Sequence, residues 1–521
     1  MPDQFPPQSE PQVPPAQAAP PGHGVDPAFT DLPLTGLADA ALGAAAGAGA
    51  GFADFRFERL LSSTLSIRDT AVQSAADAQT TGFGVRVIVD GVWGFAASVV
   101  PTAEEAAATA RRAVQVARAL ARVVDERVER ADEPVHSNRQ WVSAYRTDPF
   151  AVAGQDKIAL LLDRSERLLA ADGVAHTQVG LFQVKENKYY CDTAGTSTTQ
   201  QRVRLAPSLT ATAIDSDTGA FETMSSLTPP VGRGYEYLTD GSWDFDGEIA
   251  ALGEQLTEKM KAPSIEPGRY DLVIDPTNLW LTIHESIGHA TEYDRAIGYE
   301  AAYAGTSFAT PDRLGSLQYG SPGMHVTGDR TVEHGLATVG YDDDGVAGQS
   351  WDLIRDGILV GYQLDRTFAH RLGLPRSNGC AYADSSSHIP IQRMANVSLQ
   401  PDPNGGSTQD LIGGVDDGIY VVGDKSWSID MQRYNFQFTG QRFYRIRGGR
   451  LAGQVRDVAY QATTTDFWGS MDGIGGPRTY RLGGAFNCGK GQPGQVAAVS
   501  HGCPSARFRG INILNATREG S

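Results

Sequence analysis

One short segment of this sequence combines residue types and spacing that could do chemistry: His284-Glu285-Ser286-Ile287-Gly288-His289. Two imidazoles can share a divalent metal, and a carboxylate beside them can serve as general base toward a water molecule. The interval between the histidines matters. In the familiar zinc-protease helix they sit four residues apart and project from one face. Here they are five apart. At about 100° per residue their rings would point roughly 140° away from each other on an α-helix. They can meet at one metal only where the helix departs from α geometry, and a π-type bulge brings i and i+5 together. Gly288 would lower the cost of such a distortion. The spacing therefore predicts a bulge or an early helix end between Glu285 and His289.

Two histidines do not make a catalytic zinc site, which usually has three protein ligands and an open fourth position. Candidates for the third ligand are Glu292, Asp294, His388, Cys488, His501 and Cys503. Cys488 leads, because the glycine-rich run Phe486–Gly494 lets the backbone approach a site closely and a thiolate suits zinc. His388 and Arg393 either line the site, the arginine as a partner for a peptide carboxylate, or belong to an ordinary structural hydrogen-bond network. Asp342–Asp344 lacks the ligand spacing of a calcium loop and reads as a turn.

These residues need elements to position them. Tyr270–Ile274 has the pattern of a buried strand, and Asp275-Pro276 suits the start of the helix carrying His284. Upstream, Asp90-Gly91 between Phe83–Val89 and Val92–Val99 predicts a hairpin. Thr102-Ala-Glu-Glu105 opens a helix to about Arg130, and a second helix is expected over 156–171. Strands are expected near 52–68, 175–184, 188–192, 199–205 and 208–214, and a weak helix within 37–51. A helix over 245–261 precedes the histidine region. Beyond it come short strands, among them 351–355 and 358–364 around Asp356-Gly357, then 419–422, 433–439, 442–447 and 451–460. The expected class is α+β: an N-terminal antiparallel sheet with two long helices, then a mostly β, barrel-like domain bearing the HExxxH helix. The expected divisions are a disordered tail over 1–33, which holds ten of the 28 prolines, an N-terminal domain over 34–240 and a C-terminal domain over 241–521.

Composition narrows the function classes. The chain has 521 residues, 44 Lys+Arg against 61 Asp+Glu, and a net charge of −17, which disfavours nucleic acid and anionic membranes as partners. No apolar run approaches the roughly 20 residues of a membrane helix. Four cysteines without a C-x-x-C pair do not form a disulfide framework. The N-terminus lacks the basic and apolar regions of a secretory signal, so the expected compartment is the cytoplasm.

Four blocks, in order, resemble the TldD/PmbA peptidases and specifically their TldD-like, metal-binding branch. They are His284–Asp294 with its acidic residues Glu292 and Asp294, Asp343–Gln349, Ser386–Asn396 with His388, Arg393 and Met394, and Asn487–Gln492 with Cys488 and Lys490. The resemblance runs through most of the C-terminal half and more weakly into the N-terminal domain. It implies a zinc ion held by His284, His289 and Cys488, with Glu285 as general base. It also implies unfolded or short peptides as substrates, reached through a narrow passage, and pairing with a metal-free homologue, a homodimer being the fallback. A non-catalytic scaffold or modulator with a structural metal is the alternative. His501 and Cys503 lie beyond the matching blocks and read as structural.

Overall fold

The structure is a computed structural model describing residues 24–517. Two large apolar cores organise it. The first is built on a sheet of β1 (Phe52–Arg68), β2 (Ala71–Val89), β3 (Val92–Ser98), β4 (Arg139–Val142), β5 (His176–Asp192), β6 (Ser197–Ile214) and β7 (Phe221–Ser225). The order is β3-β2-β1-β5-β6-β4, with β7 on β6. Alternation gives the sheet two unlike faces. Phe55, Phe57, Val85 and Val203 point into the apolar core. Helices α1 (Pro27–Thr30), α2 (Leu34–Gly47), α3 (Ala103–Leu120), α4 (Gly154–Leu169) and α5 (Phe245–Lys261) supply the rest of that core. Asp54, Arg56, Glu58, Lys188, Arg202 and Arg204 are buried as well, and several of them pair with the C-terminal half. These buried charges account in part for a difference from expectation. Single long strands β5 and β6 stand where two pairs of short ones were expected: the polar run Lys185–Lys188 looks like a break in β5, and Ala206-Pro207 looks like one in β6.

Three further expectations change. Residues 1–23 of the expected tail lie outside the described residues. Residues 24–33, assigned to the same disordered tail, are folded: Phe29 is fully buried, and Asp26 pairs with Arg59 at 2.6 Å and Lys185 at 3.2 Å. The helix from Ala103 ends at Leu120 rather than near Arg130. Beyond it the backbone bonds to other elements, Val128 N–H to the Gly91 carbonyl at 2.7 Å and Ala131 N–H to Arg366 at 2.9 Å, while Arg130 stacks on Phe52. Finally, α5 was expected to open the second domain. Its Phe245, Ile249, Leu252 and Leu256 belong to the first core, so the change of core follows this helix.

The second core surrounds a closed barrel of five strands. β8 (Gly268–Ile274) pairs in parallel with Asp417–Ile429 and antiparallel with Ala506–Asn515. The ring continues through Val458–Thr463 and Asn435–Arg447 back to Asp417–Ile429. The α6 helix (Pro276–Ile283) leaves β8 directly and is buried from Asn278 through Ile283. Its Asn278 amide donates to the Gly423 and Thr439 carbonyls at 2.9 and 3.0 Å, and Thr282 meets the Tyr460 hydroxyl at 2.8 Å. The helix is packed on nearly every side, and its buried polar groups Asn278 and Thr282 are met by hydrogen-bond partners. Among the described residues no helix is long and apolar enough to cross a membrane.

Candidate metal centre

Asp275 caps α6 through the Thr277 N–H at 3.0 Å, and Pro276 occupies its first position. At His284 the α-helix gives way to a π turn, His284–Gly288, closed by the His289 N–H donating to the His284 carbonyl. That i+5 bond is the distortion the spacing predicted. It lays the two rings together, their centroids 4.6 Å apart. Side chains take up carbonyls along the distorted turn: Gln363 donates to Gly288 at 2.7 Å, Thr291 to Ile287 at 2.9 Å and Tyr319 to Ser286. The expected reason for Gly288 needs correction. Its φ of −53° and ψ of −59° are ordinary helical values. A Cβ there would lie 2.6 Å from the Met394 sulfur, so the glycine serves close packing rather than backbone freedom.

A hairpin, Arg481–Lys490 with Gln495–Cys503, brings Cys488 to the histidines. One ligand atom each from His284, His289 and Cys488 lies within 4.8 Å of the others, and the Cys488 sulfur is 3.7 Å from His289 Nε2. Two ligands of one tetrahedral zinc, an N and an S, would be about 3.5 Å apart. The proton positions follow from the partners. His501 Nδ1 lies 2.9 Å from the Val397 carbonyl, which only accepts, so this nitrogen carries the proton. Burial pushes the His501 pKa down to about 4, so Nε2 is bare. It therefore accepts from His284 Nδ1 at 2.7 Å, which leaves His284 Nε2 unprotonated. The His289 Nδ1 donates to Glu292 at 2.8 Å, leaving its Nε2 unprotonated too. Burial holds both ligand candidates well below the usual histidine range. Burial also raises the Cys488 thiol to about 11, against the pull of Arg393. Two bare imidazole nitrogens and a thiol, converging, form a donor set that fits a soft or borderline divalent metal.

The other candidates take supporting places. Glu292 orients His289 and is itself held by Lys490 at 3.1 Å and Arg295 at 3.3 Å. Although burial opposes it, Lys490 keeps this carboxylate well below its usual range. Asp294 pairs with Lys490 at 2.8 Å. Arg393 is buried and donates to the Cys488 backbone carbonyl, not to an open cleft. His388 bonds to Asp384 at 2.6 Å, apart from the three-residue cluster, and Cys503 donates toward the Pro276 carbonyl. His501, read as structural, turns out to fix the tautomer of His284. Asp342 accepts from Asp344 and Val346 N–H at 2.9 and 2.8 Å, as a turn residue does.

Glu285 is 5 % exposed and faces Arg433, whose Nη1 lies 2.5 Å from Oε2. Burial raises its pKa, and Arg433 and Arg295 oppose the rise. Its charge is felt at Cys488. Nothing in the sequence pointed to Arg433, which lies 148 positions away on a turn between two barrel strands.

Known proteins resemble this chain in sequence and in fold. Over 467 residues the chain is 28% identical to a protein named "Metalloprotease" from Methanothermobacter thermautotrophicus, covering 89% of this chain and 95% of that one. It is 23% identical over 477 residues to a "Zinc metalloprotease TldD homolog" from Saccharolobus solfataricus, covering 89% and 97%. Among solved structures, a putative modulator of DNA gyrase from Bacteroides thetaiotaomicron superposes with a TM-score of 0.69 at 16% identity, over 92% of this chain and 98% of that one. TldE from Thermococcus kodakarensis does so at 0.68 and 15%, over 91% and 98%. At these identities the solved structures show a shared fold. The family profile described as PmbA/TldA metallopeptidase C-terminal domain matches residues 267–515, which include the barrel, the π turn and Cys488, and the one described as domain 1 matches residues 53–117. Together they span more than half of the chain, which belongs to the PmbA/TldD family.

Proposed function

We propose that this chain is a zinc-dependent peptidase acting on unfolded or short peptides, with His284, His289 and Cys488 as metal ligands and Glu285 as general base. The observation that carries the reading is the pairing of three convergent donor atoms with a buried carboxylate on the same helical turn. A purely structural zinc has four protein ligands and no use for such a carboxylate. Held by these three residues, zinc would lower the pKa of a water toward neutrality and polarise a peptide carbonyl. Glu285 then accepts the proton of the attacking water and delivers it to the leaving amine. His501 and Glu292 keep the ligand nitrogens bare throughout. The relatives named metalloproteases support this reading; the solved structure described as a putative modulator of DNA gyrase favours the scaffold alternative, and Glu285 weighs against it.

Substrate binding as an added strand has local support. Arg481–Lys490, the strand carrying Cys488, has one strand partner among the described residues, Gln495–Cys503, and its other edge is where we place an extended peptide. Pairing along that edge would bring successive carbonyls past the metal ligands. A working unit of two chains, one a metal-free homologue or a second copy, is proposed on family grounds alone. Replacing Glu285 with Gln tests the function. Cleavage of an unfolded peptide mixture should fall by about 10³-fold or more with zinc retained. Unchanged cleavage would remove Glu285 from the chemistry.

A further inference from the structure

We infer that Arg433 is the positioning residue for Glu285, holding one carboxylate oxygen so that the other is presented to the attacking water. The inference rests on the peptidase reading above. Its basis is the construction of the turn 430–434, which links two strands of the barrel. The carboxylate of Asp430 organises that turn. It accepts from the backbone N–H of Gln432 at 3.1 Å, Tyr434 at 2.8 Å and Asn435 at 3.0 Å, and from the Asn435 amide at 2.7 Å. Outside the turn, the Met431 and Gln432 carbonyls accept from Thr306 and Phe308 N–H at 2.7 and 2.9 Å. The Arg433 carbonyl accepts from Thr464 at 2.8 Å.

Within this frame Arg433 adopts a φ of +64°, in the left-handed region that a residue other than glycine enters only at some cost. The surrounding bonds hold it there, and the side chain reaches Glu285. The guanidinium is not placed for its own satisfaction. Its Nε is buried with no partner, and Nη2 reaches only the Ala304 carbonyl at 3.3 Å. Its one short contact is with Glu285 Oε2, through a single nitrogen. A two-pronged arginine clamp would engage both carboxylate oxygens. This single-pronged contact fixes the orientation of the carboxylate and leaves lone pairs for a proton. With Nη1 on Glu285 and Nη2 on Ala304, Arg433 is poorly placed to anchor a peptide carboxylate instead.

The test compares wild type, Arg433→Met, Arg433→Lys, Glu285→Gln and the Glu285→Gln/Arg433→Met double variant. Zinc content, kcat and KM on an unfolded peptide, and melting temperature without substrate are measured for each. Arg433→Met should keep zinc at the wild-type stoichiometry, lose about 10- to 100-fold in kcat and change KM by less than about threefold. Arg433→Lys should recover part of kcat, since it restores the charge without the fixed fork. Removing the arginine alone leaves a buried carboxylate unpaired, so the double variant should melt above Arg433→Met. A rise in KM with kcat unchanged would overturn the inference and make Arg433 a substrate anchor. Loss of zinc in both Arg433 variants, or a lysine variant no better than methionine with additive melting shifts, would overturn it as well. If wild type cleaves nothing while the melting shifts are coupled, the peptidase reading falls first: Arg433 then holds a carboxylate that does no chemistry, and the inference as stated falls with it.

Discussion

Two buried polar networks in this protein are built from similar residues and end differently. One lies between the N-terminal sheet and the C-terminal half, where Glu186 binds Arg202 at 2.7 Å and Arg204 at 2.8 Å, Lys188 binds Asp343 at 2.9 Å, and Arg86 bridges Asp54 at 2.7 Å to Asp344 at 2.5 Å. The other surrounds the histidines through His501, Glu292, Lys490 and Asp294. In the first, charges face opposite charges. In the second, the same kinds of contact are made on the far side of each ring, so that two bare nitrogens and a sulfur converge on one point. Burial and shifted pKa values occur in both. What marks the second as a site is the set of donor atoms left over, aimed together.

Breaking the first network should cost the most and leave the metal alone. Glu186→Ala strands the buried Arg202 and Arg204, and a loss of about 3–5 kcal/mol in unfolding free energy is expected by urea titration. The folded fraction should bind zinc as wild type does. Glu292→Gln should do the reverse. It weakens the hold on the His289 proton, with a 10- to 100-fold loss of metal affinity expected in a chelator competition and a smaller change in stability. Equal effects of both variants on both readouts would erase the distinction.

The smallest effect is a difference in pH response. Glu58, in the first network, is pushed up to about 7 by burial. Its stabilising contribution is complete below the unfolded value of about 4.3 and is lost as pH rises toward 7. His501, in the second, has its pKa lowered to about 4 by burial. Its contribution is complete above the unfolded value of about 6.5 and is lost as pH falls toward 4. In the metal-free protein, Glu58→Gln should therefore gain stability relative to wild type as pH rises from 4.5 to 7. Zinc retention should fall as pH drops from about 6.5 toward 4 in both proteins alike.

The contrast also explains what the sequence made legible. The five-residue histidine interval forces a π turn if both rings serve one metal, and the turn is there. The strand before it, the capping Asp275 and the barrel-like half follow from local patterning. Cys488 emerged only as the leading one of several third-ligand candidates until the resemblance singled it out, because a hairpin closes a gap of 199 positions that no periodicity records. His501, Lys490 and Arg433 act through long-range contacts of the same kind. The long strand β5 reads as two because the charged run Lys185–Lys188 ordinarily signals solvent, and β6 reads as two because Pro207 interrupts its pattern. The length of α3 was overestimated because the residues after Leu120 have helical propensity but bond to Gly91 and Arg366 instead. The packing role of Gly288 depends on Met394, about a hundred positions away, and cannot be read from its neighbours.

The most direct test of the central claim is zinc content per chain in the purified protein, measured beside Cys488→Ala and Glu285→Gln, with peptide cleavage followed in each. About one zinc per chain is expected in wild type and Glu285→Gln, well under half in Cys488→Ala, with cleavage only in wild type. Zinc retained in full without Cys488, or cleavage that survives without Glu285, would contradict the account.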